Sequence, residues 1–460
     1  MTSAHAIPRL RGKPLLGHMF EFRSARMELL NRAARAHPDI ARVRLGVFET
    51  LFVSSPELVH EMLVDKPEAF RKSLAVTVFA KPLLGDGLLR LEQAAHKKRR
   101  RMVAPAFMPR RIASYAAEMV ARAGAASERI AQAGEVDMAD ETMRVALSIV
   151  AKTLFGAELE RDAHEVGAAL TRTMDCIMAA LTSAIPMPPQ VPTPTNLRGR
   201  RAVERLDKIV YRMIAERRAQ PSATQSDLLA LLLETRDETD HSALSDREVR
   251  DEAMTLFLAG HETVANTLAW SLYLLAAHPE VHARLETEVD AVFAQGGLDA
   301  NSLARLRFTS QVIHEAMRLY PPAYMFGRIA RHDLTLGDYA IERGTVLLVN
   351  VFGMHRRPDL FPEPERFDPD RFAPERAPEL PRHAFIPFGA GPRICIGNHF
   401  ALMEAALTLA TFVHRLRFEL VDPARVPEFE PLITLRPRGG IRMRVGPRVA
   451  EATRLDALGA

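Results

Sequence analysis

Phe388-Gly-Ala-Gly-Pro-Arg-Ile-Cys-Ile-Gly397 is the stretch on which the fold turns. Glycines stand at 389, 391 and 397 and a proline at 392, directly before an apolar run that reads as a helix to about residue 416. Glycine lets a backbone turn tightly and approach a flat ligand closely. Amide N–H groups at the start of the following helix point back at the sulfur and stabilise a thiolate. A cysteine without such context is most often a small buried hydrophobe. In this loop Cys395 is placed to hold one metal ion. The only other cysteine is Cys176, and two thiols exclude a disulfide scaffold or a multi-thiolate zinc or iron–sulfur site.

Outward from this loop the composition is ordinary. The 460 residues carry 61 Lys+Arg against 57 Asp+Glu, a net charge of +4, and 47% are hydrophobic, which excludes a disordered chain. Balanced charge and only 6% aromatics argue against nucleic-acid binding. No run approaches the roughly 18–20 apolar residues of a membrane span. Residues 1–20 read as neither signal peptide nor anchor, so a cytoplasmic protein without a membrane anchor is expected.

Residues 1–24 look like an extended lead-in. Strands fit 40–45 and 50–54, and Ser55-Pro56 opens a helix as cap and first position. From 92 to 320 long helical stretches dominate, broken at 183–196 by five prolines. A period near two predicts hairpin strands within 327–351 and again over 432–445. Between them 357–387 is a Pro-rich loop. With no internal repeat or linker, a single domain over 1–460, mainly α with a minor β part, is the simplest account.

The cysteine loop resembles the haem-binding signature of the cytochrome P-450 family, F-G-x-G-x-R-x-C-x-G, at Phe388, Gly389, Gly391, Arg393, Cys395 and Gly397. The resemblance implies the cytochrome P-450 fold, a single triangular haem domain, with haem b (iron protoporphyrin IX) as cofactor and Cys395 as its proximal ligand. Thiolate ligation favours O–O cleavage, and Phe388 would tune the sulfur.

Three further motifs follow the family's order. Glu315-Ala-Met-Arg318 matches E-x-x-R, with both charges on one helix face, and Pro364-Glu-Arg366-Phe367 matches a P-x-R-F segment. The resemblance makes Glu315, Arg318 and Arg366 a buried structural network, although most such pairs are solvated. Ala259-Gly260-His261-Glu262-Thr263 lies in a long apolar helix, where glycine costs about 1 kcal/mol against alanine. Close helix packing is one reason for Gly260. The resemblance supplies another: Ala259 and Gly260 leave room for dioxygen, Thr263 hydrogen-bonds the oxygen being activated, and Glu262 relays protons. His261 gains no clear role.

His96 and Arg100, four apart in the basic run 96–101, match H-x-x-x-R, and with Arg328 and Arg393 would reach the haem propionates. Lys97, Lys98, Arg99 and Arg101 form either a solvated helix face or a dock for an acidic electron carrier. Substrate-facing positions follow from resemblance alone: Phe79, Leu84, Leu88, Met178, Leu181, Ala323, Met325 and Ile433, with Tyr324 a further donor. They are almost all apolar, as for a fatty acid, terpenoid or steroid, or are simply core.

About 45 residues follow the Cys395 helix, too few for a reductase domain. A monomer served by a separate ferredoxin or flavodoxin and an NAD(P)H-dependent reductase is therefore expected. The implied function is a haem-thiolate monooxygenase hydroxylating an apolar small molecule. A peroxide-driven peroxygenase and a non-catalytic haem sensor or carrier are the alternatives.

Overall fold

The computed structural model describes residues 5–14, 16–46, 48–156, 163–181, 183, 187–219, 227–238 and 241–448. Within them, ten helices of eleven or more residues run in chain order: α1 (Arg26–Ala36), α2 (Gln93–Val103), α3 (Ala116–Ala133), α4 (Met138–Phe155), α5 (Ala163–Leu181), α6 (Pro194–Ala219), α7 (Asp246–Ala277), α8 (Pro279–Ala294), α9 (Arg307–Leu319) and α10 (Asn398–Arg415). None is long and apolar enough to cross a membrane.

The central element is α7. Ser245 caps it, accepting from the Glu248 amide while the Glu248 side chain accepts from the Ser245 amide. Such reciprocal capping satisfies two of the helix's orphan donors. Beyond its first turn α7 is buried almost all round, as a helix in the middle of a large core must be. It lies against α4, where Phe155 and Phe257 stack at 4.1 Å. The same apolar core takes in residues of α3, α6, α8, α9 and α10.

The β part sits beside this bundle. β1 (Ile40–Leu45), β2 (Phe48–Val53), β3 (Phe70–Lys72), β5 (Phe326–Ala330) and β8 (Val346–Val349) form one sheet in the order β1-β2-β8-β5-β3. Only β2 and β8 pair in parallel, Thr50 opposite Val346. β6 (Leu334–Leu336) and β7 (Tyr339–Ile341) make the small hairpin expected between β5 and β8. After Ser55, whose hydroxyl accepts from the Leu58 amide, the chain forms the short helix Pro56–His60. Of the proline-rich 183–196 segment, residues 184–186 lie outside the described residues, and α6 already begins at Pro194.

The C-terminal strands depart from expectation. Residues 432–445 do not form one hairpin. β10 (Phe429–Pro431) pairs with β11 (Leu435–Pro437), whereas β12 (Arg442–Pro447) pairs with β9 (Leu416–Leu420) and β4 (Glu135–Asp137). The cause is Gly439-Gly440, both in the left-handed region at φ 71° and 74°. A Cβ on Gly440 would overlap the Asp137 carboxylate, which caps α4 and accepts from the Ile441 amide at 2.9 Å. The chain therefore turns out of one sheet and into another.

Candidate active site

The candidate residues lie on three elements: the cysteine loop, the β3–β5 edge with α2, and the middle of α7. Gly389 and Gly391 have φ 72° and 70°, a conformation side chains rarely adopt. A Cβ on Gly391 would collide with the Leu63 carbonyl oxygen, so the loop lies tightly on residues 61–65. Cys395 N donates to Phe388 O at 3.0 Å, closing the turn before α10. The Cys395 sulfur can be reached from outside the chain, yet protein surrounds it closely enough for lost hydration to push its thiol up. The Gly397 amide and Arg100 pull in the other direction. Iron ligation supplies the positive charge that such a thiolate lacks.

Beside the loop lies a cluster of cations. Lys72 on β3 stands directly opposite Arg328 on β5, an arrangement of like charges that costs stability by itself. His96 and Arg100 on α2, and Arg393 in the loop, complete it. Burial, with Arg393 and Arg328 close by, pushes Lys72 down to about 6. Burial, with Arg393, Lys72 and Arg100 near, pushes His96 down to about 4. Arg100 donates to Ile394 O at 2.8 Å and Arg393 to Leu91 O at 2.8 Å, and the Lys72 ammonium bonds Leu89 O. These carbonyl contacts fix direction. Glu92, whose Oε1 accepts from the Lys72 amide at 2.6 Å, offsets part of the charge on Lys72, Arg328 and Arg393, but its Oε2 pairs with Arg331. Among the described residues no carboxylate forms a direct ion pair with any of the five. Such a donor set fits a flat cofactor bearing two carboxylates beside the cysteine. Lys72 escaped the sequence reading, because a three-residue strand has no period to read.

α7 carries the remaining candidate residues. It is buried along most of its length, but Ala259 is exposed and Gly260 and Thr263 are partly so. A Cβ on Gly260 would stand 3.2 Å from a Val150 methyl, so close approach to α4 also favours glycine there. Thr263 Oγ1 donates to Ala259 O at 2.7 Å. Glu262 is buried, and its Oε1 accepts from Arg436 Nε at 2.7 Å and from the Thr434 hydroxyl. Neither partner on β11 and its approach was anticipated. His261 is buried with both ring nitrogens unpartnered, and burial pushes it to about 4, so it stays neutral.

The structural network needs one correction. Glu315 and Arg318 are fully buried and paired at 2.6 Å, and Arg318 also donates to the carbonyls of His355, Pro364 and Arg366. The Arg366 side chain, however, is exposed and pairs with Glu363. Its place is taken by Arg371, buried 3.3 Å from Glu315. The P-x-R-F pattern recurs at Pro369-Asp-Arg371-Phe372, five residues on. Both copies lie against α9, the first through its backbone carbonyls and the second through the Arg371 side chain.

The basic run also divides. Arg99 turns inward to Glu252 at 2.9 Å and Glu248 at 2.5 Å, joining α2 to α7, and so leaves the exposed face. Lys97 pairs with Glu68 and Arg101 with Asp237, while Lys98 donates to Ser242. The exposed face of this run thus comprises Lys97, Lys98 and Arg101 without Arg99.

Of the substrate-facing positions, Met178, Leu181, Ala323, Met325 and Ile433 are partly accessible, while Phe79, Leu84 and Leu88 are buried. Leu84, 1% exposed, belongs to the core. The Tyr324 hydroxyl is already spent, donating to Leu432 O at 2.6 Å and accepting from Arg26 at 2.7 Å.

The family model described as Cytochrome P450 matches residues 7–443. Among similar proteins is cyclooctatin synthase of Streptomyces melanosporofaciens, 33% identical over 95% of this chain and 93% of its own. Cyclooctat-9-en-7-ol 5-monooxygenase of the same organism is 37% identical over 89% of this chain and 88% of its own. Pentalenene oxygenase of Streptomyces avermitilis is 32% identical over 95% and 96%.

Proposed function

Because this chain belongs to the cytochrome P450 family, we propose that it hydroxylates an apolar terpenoid with electrons from a separate ferredoxin or flavodoxin and its reductase. It is an oxidoreductase of the monooxygenase kind, and its cofactor is haem b. The reaction balances as RH + O2 + 2 e− + 2 H+ → ROH + H2O, so the protein must deliver two protons to a site otherwise kept from water. Haem b, ligated through Cys395, supplies the oxygen-activating redox chemistry.

The chain's own residues do the rest. Gly397 N–H and Arg100 steady the charge on Cys395 Sγ. Lys72, His96, Arg100, Arg328 and Arg393 would hold the two propionates of haem b, whose negative charge would add to the partial offset from Glu92. Ala259 and Gly260 leave space beside the reacting atoms. Thr263 Oγ1 gives up its bond to Ala259 O to donate to oxygen, and Glu262 restores the proton that Thr263 passes on. Phe79, Leu88, Met178, Leu181, Ala323, Met325 and Ile433 surround an apolar substrate and exclude water. Leu84 acts through packing. A single-domain arrangement over 1–460, working as a monomer, completes the reading.

The observation that carries it is the convergence on the exposed cysteine loop of five basic side chains, none of them in a direct ion pair with a carboxylate among the described residues. Two relatives bear the names of pentalenene and cyclooctat-9-en-7-ol, and the apolar lining suits molecules of that kind. The test supplies NADPH, a ferredoxin, its reductase, a cyclic terpene and 18O2. One labelled oxygen in the product is expected, with a low-to-high-spin shift on terpene binding at least tenfold tighter than for a fatty acid. Product formed only with added hydrogen peroxide, or label taken from water, would overturn the reading.

A further inference from the structure

The Glu262 carboxylate is held from outside its own helix. Arg436 and Thr434 both bind Oε1, and among the described residues nothing donates to Oε2. One oxygen is anchored and the other is left to take and pass a proton. Asn266, one turn along α7, donates to Thr434 Oγ1 at 3.0 Å, and Trp270, a further turn on, donates to Leu435 O at 3.1 Å. Residues 262, 266 and 270 thus form one stripe of α7 fastened to residues 434–436.

The same short segment is fixed from two other directions. Arg26 donates to Pro431 O at 2.6 Å, Tyr324 to Leu432 O at 2.6 Å, and Leu435 N to Pro322 O at 3.2 Å. Ile433 lies between these clamped neighbours. On the solvent side, Asp175 of α5 is exposed but still feels Glu262 and Arg436: burial and Glu262 hold its carboxyl above the usual range, against Arg436.

We propose that Arg436 and Thr434 are positioning residues for the proton-relaying Glu262, so that the β10–β11 hairpin sets the rate at which protons reach Thr263. This rests on the reading of Glu262 given above. Each NADPH provides two electrons. With two protons they reduce one oxygen atom to water while the other enters the product, or they reduce dioxygen to hydrogen peroxide. A carboxylate that swings away from its place slows the first outcome and favours the second.

The holoenzyme is compared with Arg436→Met, Arg436→Lys, Thr434→Val and Glu262→Gln, using the same terpene and redox proteins. For Arg436→Met the expected result is at least a tenfold fall in kcat at unchanged KM, a larger solvent deuterium isotope effect, and more peroxide per NADPH. The substrate-induced spin shift and the reduced carbon-monoxide spectrum stay as in the parent. Arg436→Lys recovers much of the loss, and Thr434→Val shifts the same quantities less. Parent values of kcat and isotope effect in Arg436→Met overturn the proposal, as does a loss that merely tracks lost haem. If Glu262→Gln alone moves them, the positioning role fails and the relay stands; if Glu262→Gln leaves them untouched, the relay itself fails.

Discussion

Arg371 points its guanidinium at a fully buried Glu315, whereas Arg366, five residues earlier, points its own into solvent. The difference decides what each is worth. Removing one partner of a buried pair strands the other charge and costs about 3–5 kcal/mol. Removing an exposed partner costs within about 0.5 kcal/mol. Arg371→Ala should therefore unfold at markedly lower denaturant and lose haem, while Arg366→Ala should match the parent in both. Equal midpoints for the two variants would refute this placement. Sequence alone could not rank the arginines, since each sits in the same Pro-x-Arg-Phe frame and only the fold brings the side chain of one of them to α9. Cys395 was legible because its constraints are local: glycines that must turn, and a helix start beside the sulfur.

Elements add what single residues do not show. The β3–β5 pair sets Lys72 against Arg328, and burial beside Arg393 and Arg328 pushes Lys72 down to about 6. Propionates beside it would restore its proton, so above about pH 6 haem binding takes up a proton at Lys72 and its help weakens as pH rises. Cys395 works in the opposite sense, since its thiol loses a proton on ligation. Lys72→Met should thus weaken haem binding near neutral pH and make log affinity rise more steeply with pH, by up to about one log unit per pH unit. Haem transfer to a scavenger protein at several pH values checks this, and parallel profiles for variant and parent would contradict it. The α2–α7 junction is a second case. Burial pushes Glu252 up to about 7 while Arg99 holds it down, so Arg99→Ala should cost about 3–5 kcal/mol in urea unfolding. Lys97→Ala, on the same helix, should cost almost nothing. A basic run read from sequence cannot reveal that Arg99 turns inward, because the acids it meets lie some 150 positions away.

At the scale of the whole molecule, the helical bundle carries α7 and its acid–alcohol pair, the small sheet and α2 carry the basic side chains, and the cysteine loop is clamped to residues 61–65. The fold class and most of the element order were legible because helices and hairpins announce themselves by period and by proline. The strand exchange after Gly439-Gly440 was not, since it depends on Asp137, some 300 residues earlier. Neither was the bond from β11 to Glu262, which joins positions 174 apart. The proposed chemistry depends on iron being held through one sulfur. The most direct test is the reduced, carbon-monoxide-bound spectrum of Cys395→Ser beside Cys176→Ser. Cys176→Ser should keep the red-shifted Soret band of a thiolate-bound haem, and Cys395→Ser should lose it. A red-shifted band surviving in Cys395→Ser, or vanishing in Cys176→Ser, would contradict the assignment of Cys395.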